Sequence, residues 1–135
     1  MCKTIKQKVR FKASPDAVYD LLADSTKRTK VTGLKANISR KVGGAFTADN
    51  GRVSGVNVDL VPGVRIVQAW RRKDFPAGVF SMAAVTLTPT QGGGTELVLT
   101  HRGVPKWLLD GTEDDWRHDY WEKMKAHFAR SASNK

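Results

Sequence analysis

Between positions 52 and 105 large apolar residues alternate with polar or small ones in successive runs, as strands with one wet face must. The runs cover 52–62, 64–72, 79–88 and 95–105, divided by Pro62-Gly63, by the Phe75-Pro-Ala-Gly78 break and by Gly92-Gly-Gly94. Prolines and glycines of this kind supply tight turns, so the strands are expected to be antiparallel neighbours in a meander. The pattern then changes period. Trp116, Tyr120, Trp121, Met124 and Phe128 recur at helical spacing and predict a long amphipathic helix with a broad aromatic face. Thr112 and Asp115 fit a capping box at its start, just after Asp110-Gly111. Glu113 to Arg117 and Asp119 to Lys123 are charge pairs four apart.

The first third of the chain completes the set. In residues 5–12, Ile5, Gln7, Val9 and Phe11 alternate with Lys6, Lys8, Arg10 and Lys12, a half-buried strand whose outer row is wholly basic. Ser14 as N-cap and Pro15 at the first helical position open a helix that buries Val18, Leu21 and Leu22. A second short helix is expected over Ser25–Thr32, ended by Gly33. Strands at 36–40 and 45–49, separated by Gly43-Gly44, lead back to Arg52. The predicted order is strand, two short helices, six strands, long helix.

An ordered series of short motifs runs through these elements. It reads Val-Ser-Gly, Asp-Leu-Val-Pro, Ile-Val, Trp-Arg, Pro-x-Gly-x-Phe, Gly-x-Thr-Glu-Leu and Gly-Val-Pro, and closes on Trp-x-x-x-Tyr-Trp-Glu-x-x-Lys from Trp116 to Lys125. The series resembles the C-terminal domain of activators of the heat-shock protein 90 ATPase, within the START-like (SRPBCC) superfamily. That resemblance implies an α+β helix-grip fold, birch-pollen-allergen-like, with a curved antiparallel sheet wrapped around the C-terminal helix. It also implies a chaperone-binding, co-chaperone-like role. In full-length activators the N-terminal half binds the chaperone's middle segment and carries much of the stimulation, while the C-terminal half contacts the chaperone's N-terminal domains. The present chain resembles the C-terminal half alone. One domain is expected over residues 1–130, with 131–135 a disordered tail.

A sheet curved around a helix leaves two possibilities for the space between them. Trp70, Phe80, Leu87, Leu97, Leu99, Trp116, Tyr120 and Met124 either fill it as ordinary core or line a cavity for a small apolar molecule, a lipid or polyaromatic compound, as related helix-grip proteins do. His101 sits at the end of a strand bordering that space. It is either a hydrogen-bonded core histidine or a polar handle for such a ligand.

Charge narrows the partners. The 135 residues carry a formal +10, with a pI near 10.1, and residues 1–41 hold eleven Lys/Arg against Asp16, Asp20 and Asp24. The row Lys6, Lys8, Arg10, Lys12 is the expected partner-binding face, suited to an acidic protein surface. Nucleic acid is disfavoured because no aromatic platform is interleaved with the cations. No apolar run approaches the roughly 20 residues of a membrane span, and nothing near Met1 resembles a secretion signal. With Cys2 the sole cysteine, the expected location is cytoplasmic.

Catalytic chemistry finds no support in these motifs. His101, His118 and His127 lack metal-ligand spacing, and Asp114 with His118 reads as a surface pair on the helix. Gly51 to Gly55 lacks the spacing of a nucleophile elbow, and Gly92–Gly94 joins two strands instead of opening a helix over a phosphate. The expectation is a non-enzymatic domain with no catalytic residue, no metal and no cofactor.

Overall fold

A computed structural model describes residues 3–133, with side chains described through Arg130; Cys2 lies outside that range. Strand β1 (Ile5–Phe11) leads into helices α1 (Pro15–Ala23) and α2 (Ser25–Thr32). Strands β2 (Asn37–Ile38), β3 (Ala45–Ala48), β4 (Val53–Val61), β5 (Arg65–Arg72), β6 (Ser81–Pro89) and β7 (Thr95–Arg102) follow as a meander. All seven form one antiparallel sheet in the order β1-β7-β6-β5-β4-β3-β2. The first strand thus crosses over to flank the last, pairing Ile5 with His101 and Phe11 with Thr95.

Local chemistry accounts for the early elements. The Ser14 hydroxyl accepts from the Ala17 amide at 3.2 Å, and Asp24 accepts from Lys27 at 2.9 Å to cap the second helix. Gly33 ends that helix in the left-handed region at φ +76°. Between β4 and β5, the Val64 amide bonds back to the Val61 carbonyl at 2.9 Å across Pro62-Gly63. The expected strand at 36–40 shortens to two residues. The Asn57 side-chain amide donates to the Ser39 and Lys41 carbonyls (2.7 and 3.2 Å), drawing that backbone out of the ladder.

The C-terminal helix has three parts: α3 (Leu109–Asp115), a π-helical turn (Trp116–Trp121) and α4 (Glu122–Ser133), together 25 residues. It begins at Leu109, three residues before the expected capping box. A 3-10 turn over Lys106–Leu108 already curls the chain there. Thr112 is fully buried inside the helix and donates to the Leu108 carbonyl at 2.7 Å. Asp115 meets Arg52 and Arg72 at 3.1 and 3.3 Å instead of capping. The charge pairs also differ from expectation. Arg117 pairs with Asp114 at 3.2 Å, and Asp119 lies 3.8 Å from Arg52. Lys123 donates to the Thr32 carbonyl at 2.5 Å, and His118 joins Glu122 at 2.9 Å instead of Asp114. Helix α4 runs into the segment expected as a tail, and positions 134–135 lie outside the described residues.

The core fills the space between the concave sheet face and this helix. Ile66, Trp70, Val85, Leu87, Leu97 and Leu99 from the strands meet Trp116, Tyr120, Met124 and Phe128, all at most 7% exposed. Each buried aliphatic side chain contributes roughly 1.5–3 kcal/mol. Packing of this stripe, more than helix propensity, holds the helix in place.

Candidate functional site

The expected interior residues converge, with one correction. Trp70, Leu87, Leu97, Leu99, His101, Trp116, Tyr120 and Met124 are each 0–5% exposed. Phe80 is 50% exposed. It precedes β6, on the opposite side of the sheet from Ser81, and its ring lies 5.8 Å from the Arg71 guanidinium. The period-two alternation that buries Ser81, Ala83, Val85 and Leu87 puts Phe80 outside.

Inside, rings meet rings. Trp70 stacks on Trp116 at 6.0 Å between centroids, and Trp116 lies 5.1 Å from Tyr120 and 5.4 Å from Trp121. His101 stands edge-on to Trp70 at 4.6 Å. These separations are those of directly packed aromatic pairs.

His101 has both ring nitrogens occupied. The Trp116 indole donates to Nδ1 at 3.0 Å, and an indole N–H can only donate, so the neutral ring carries its proton on Nε2. Nε2 then donates to the Ser81 hydroxyl at 2.7 Å, which donates onward to the Trp70 carbonyl at 2.8 Å. Burial pushes the His101 value down to about 3, so the ring stays neutral throughout the physiological range. A fully buried histidine satisfied on both sides positions Trp116.

A second polar cluster escaped the sequence reading. The Arg28 guanidinium, 4% exposed, donates to the Tyr120 hydroxyl at 2.7 Å and to the Leu22 carbonyl at 3.1 Å. The Tyr120 hydroxyl in turn donates to Asp49, which is 6% exposed. The phenol therefore bridges a buried cation and a buried anion, tying the C-terminal helix to α2 and to the turn after β3. Burial drives the Tyr120 phenol well above its ordinary value, so it is always a donor. The sequence offered two faint signals: an arginine in a short polar helix, and Asp49-Asn50-Gly51, where Asp49 and Asn50 take φ +54° and +61°.

The basic row runs along the edge strand β1 and one residue past its end. Lys6, Lys8, Arg10 and Lys12 are all exposed. Lys6, Lys8 and Arg10 stand opposite Thr100, Val98 and Glu96, and among the described residues Arg10 alone of the row has a carboxylate in ion-pair range, Glu96 at 3.1 Å. Open grooves flank the strand. One of about 1170 Å³ runs from Arg10 and Lys12 past Gly92–Gly94 to Phe128, and one of about 360 Å³ lies between Lys6, Lys8 and the helix at Trp121. Among the described residues no group of three His, Cys, Asp or Glu side chains is placed to hold a metal ion. No described helix is long and apolar enough to cross a membrane.

Similarity to known proteins agrees with this architecture. The family model described as activator of Hsp90 ATPase homolog 1-like protein matches residues 12–130. The human activator of 90 kDa heat shock protein ATPase homolog 1 is 36% identical over 132 residues, covering 97% of this chain and 38% of the relative. A Dictyostelium discoideum homolog is 30% identical over 130 residues, covering 96% and 34%. The chain thus spans little more than a third of these relatives' length. In structure, an HSP90 activator from Plasmodium falciparum superposes with a TM-score of 0.87 at 20% identity, over 93% of this chain and 96% of that one. A Chromobacterium violaceum protein gives 0.77 at 23%, with the same coverage. At such identities the superpositions speak for the fold alone, a seven-stranded sheet gripping a terminal helix. By sequence and by fold, the chain belongs to the family of activator of Hsp90 ATPase homolog 1-like proteins.

Proposed function

We propose that this chain is a non-enzymatic, co-chaperone-like domain that docks on heat-shock protein 90 through Lys6, Lys8, Arg10 and Lys12. The observation that carries the reading is the row itself. Three exposed cations on the edge strand and Lys12 just beyond it make one ion pair among the described residues, Arg10 with Glu96, in a chain whose relatives are named for acting on that chaperone. Such a row attracts an acidic surface and accelerates encounter more than it deepens affinity. Since the chain matches only a third of its relatives, the contact is expected to be weaker than theirs, and stimulation of ATP turnover small. In this reading His101, hydrogen-bonded through both ring nitrogens, serves packing and not proton transfer. A cytoplasmic location follows from the proposed partner.

Titration of the purified chain against the chaperone, following binding and ATP turnover together, tests this. Binding at low salt that disappears on neutralising the four residues supports it. No binding at low salt, or binding indifferent to the neutralisation, overturns it. The competing expectation, an apolar molecule held between sheet and helix, requires Trp70, Trp116 and Tyr120 to part from contacts of 5–6 Å. Native mass spectrometry of protein taken directly from cells decides that: a co-purifying ligand would establish it, and a bare mass would remove it.

A further inference from the structure

The sheet face turned away from the helix carries a pattern that the basic row does not exhaust. Because Ile66, Gln68, Trp70, Ala83, Val85, Leu97 and Leu99 point inward, the alternate positions point out. Register lays them out as rows across the strands. Arg102, Met82, Ala69 and Val56 form one row. Lys6, Thr100, Ala84, Val67 and Asp59 form the next, and Lys8, Val98, Thr86 and Arg65 a third. Phe80 lies beyond Met82 under Arg71.

Two properties coincide on this face. Of the seven large hydrophobic residues that are exposed among the described residues, Phe80 (50%), Met82 (41%) and Val56 (40%) belong to it, and Val58 (46%), the extra residue of a β4 bulge, adjoins it. A contiguous exposed apolar patch with a polar rim marks an interaction surface. The rim is cationic: among the described residues Lys6, Lys8, Arg71 and Arg102 have no carboxylate within ion-pair distance. The only acid in these three rows, Asp59, is engaged by Arg65 (2.9 Å), and Glu96, in the next row, by Arg10 (3.1 Å).

We infer that this outer face is a docking surface for an acidic protein segment bearing apolar side chains, with Phe80 and Met82 as anchors and Lys6, Lys8, Arg71 and Arg102 as its charged rim. The inference extends the docking reading above from a row of charges to a whole face. Charge complementarity chooses the occupant. The unpaired cations of the rim call for anionic groups, and the apolar patch around Phe80 and Met82 calls for apolar side chains beside them, a combination that a protein segment carries and a phosphate backbone does not. Nucleic acid would want several rings along a cation track, and this face offers one, Phe80.

The test titrates ¹⁵N-labelled chain with a synthetic peptide in which Glu alternates with Leu and Phe. Phosphatidylserine vesicles, duplex DNA and heat-shock protein 90 serve as parallel arms. Shifts confined to Phe80 and the outward positions of β1 and β4–β7 are expected with the peptide. The double variant Phe80→Ser/Met82→Ser should weaken peptide and chaperone binding at least about tenfold, with its melting temperature unchanged. Lys6→Gln/Lys8→Gln/Arg102→Gln should flatten the salt dependence. Peptide shifts located elsewhere, no peptide binding, or equal binding by the apolar variant would overturn the inference. So would tighter binding to vesicles or DNA than to peptide. The two proposals fail separately. A chaperone that retains the apolar variant but loses the neutralised row sinks the face and leaves the row. A chaperone that ignores the native chain while the peptide binds sinks the row's proposed partner and leaves the face.

Discussion

Trp116 and Trp121 stack with 5.4 Å between ring centroids and 14° between ring planes, although they are five residues apart on one helix. On a regular α-helix such residues point about 140° apart. The π-helical turn between them makes the stack possible, because its wider winding holds one residue more per turn. The Glu122 amide bonds to the Arg117 carbonyl, five residues back, as that geometry requires. The turn also keeps Leu109, Thr112 and Trp116 on the same side as Met124 and Phe128. A continuous α-helix would let the later residues drift around the axis.

The extra residue should therefore be removable. Deleting exposed His118 converts the segment to regular α-helix without turning Met124 or Phe128 away from the sheet. Deleting exposed Ala126, where the winding is already α, rotates Phe128 by about 100° and strands it in solvent. Circular dichroism and urea unfolding should show a cooperative, modestly destabilised protein for the first deletion. The second should lose several-fold more stability. Equal damage from both would remove this account of the turn.

The Arg28–Tyr120–Asp49 bridge predicts a large cost for one oxygen. Tyr120→Phe leaves a buried guanidinium and a buried carboxylate without the hydroxyl that joins them. Breaking such a link is expected to cost about 3 kcal/mol in urea unfolding. Asp49→Asn should cost less, and the double variant less than the sum of the two, since the residues share one network. Strict additivity would show that Tyr120 and Asp49 act independently.

Protonating His101 weakens this fold in acid, and the sign follows from its burial. In the unfolded chain the group titrates near 6.5, and in the fold near 3 because of burial. Its contribution is thus complete above about pH 6.5 and lost as pH falls toward 3, with a slope of about 1.4 kcal/mol per pH unit. His127, lowered by burial and by Arg130 and Lys30, acts in the same direction, and His118, raised by Glu122, acts in the opposite one. The slope should be measured with both changed to Asn. Replacing His101 by Gln in that background should flatten the stability profile between pH 6 and 4, to which carboxylates add only near the lower end.

Neutralising Lys6, Lys8, Arg10 and Lys12 should separate binding from folding. All four side chains are exposed, and the single ion pair lost, Arg10 with Glu96, is an exposed one. The urea midpoint should move by the equivalent of less than about 1 kcal/mol. Chaperone binding, by contrast, should lose both strength and its dependence on salt. A variant that unfolds more readily would mean the row serves the fold.

Much of the architecture was legible because its causes are local. Ser14-Pro15 announces α1, Gly33 ends α2, and Pro62-Gly63 turns the chain between β4 and β5, each through the preferences of a few adjacent residues. Phe80 was misplaced because it was grouped with Leu87, seven residues on and so of opposite strand phase: Trp70 pairs with Ser81, and Ser81, Ala83, Val85 and Leu87 face in while Phe80 faces out. Thr112 misled for a related reason. A threonine before acidic residues looks like a cap, yet here tertiary burial draws its hydroxyl to the preceding turn.

By itself the sequence determined the alternation of strands, the helix boundaries marked by caps and glycines, the aromatic stripe and the excess of positive charge. All of these depend on residue type and short spacing. Only the tertiary structure decided that Arg28, Tyr120 and Asp49 meet, that His101 is locked between Trp116 and Ser81, and that Trp116 stacks on Trp121. Those contacts join positions far apart in the chain or depend on one anomalous turn. Hydrogen bonds and packing in a shared core select such partners, and no local preference encodes them.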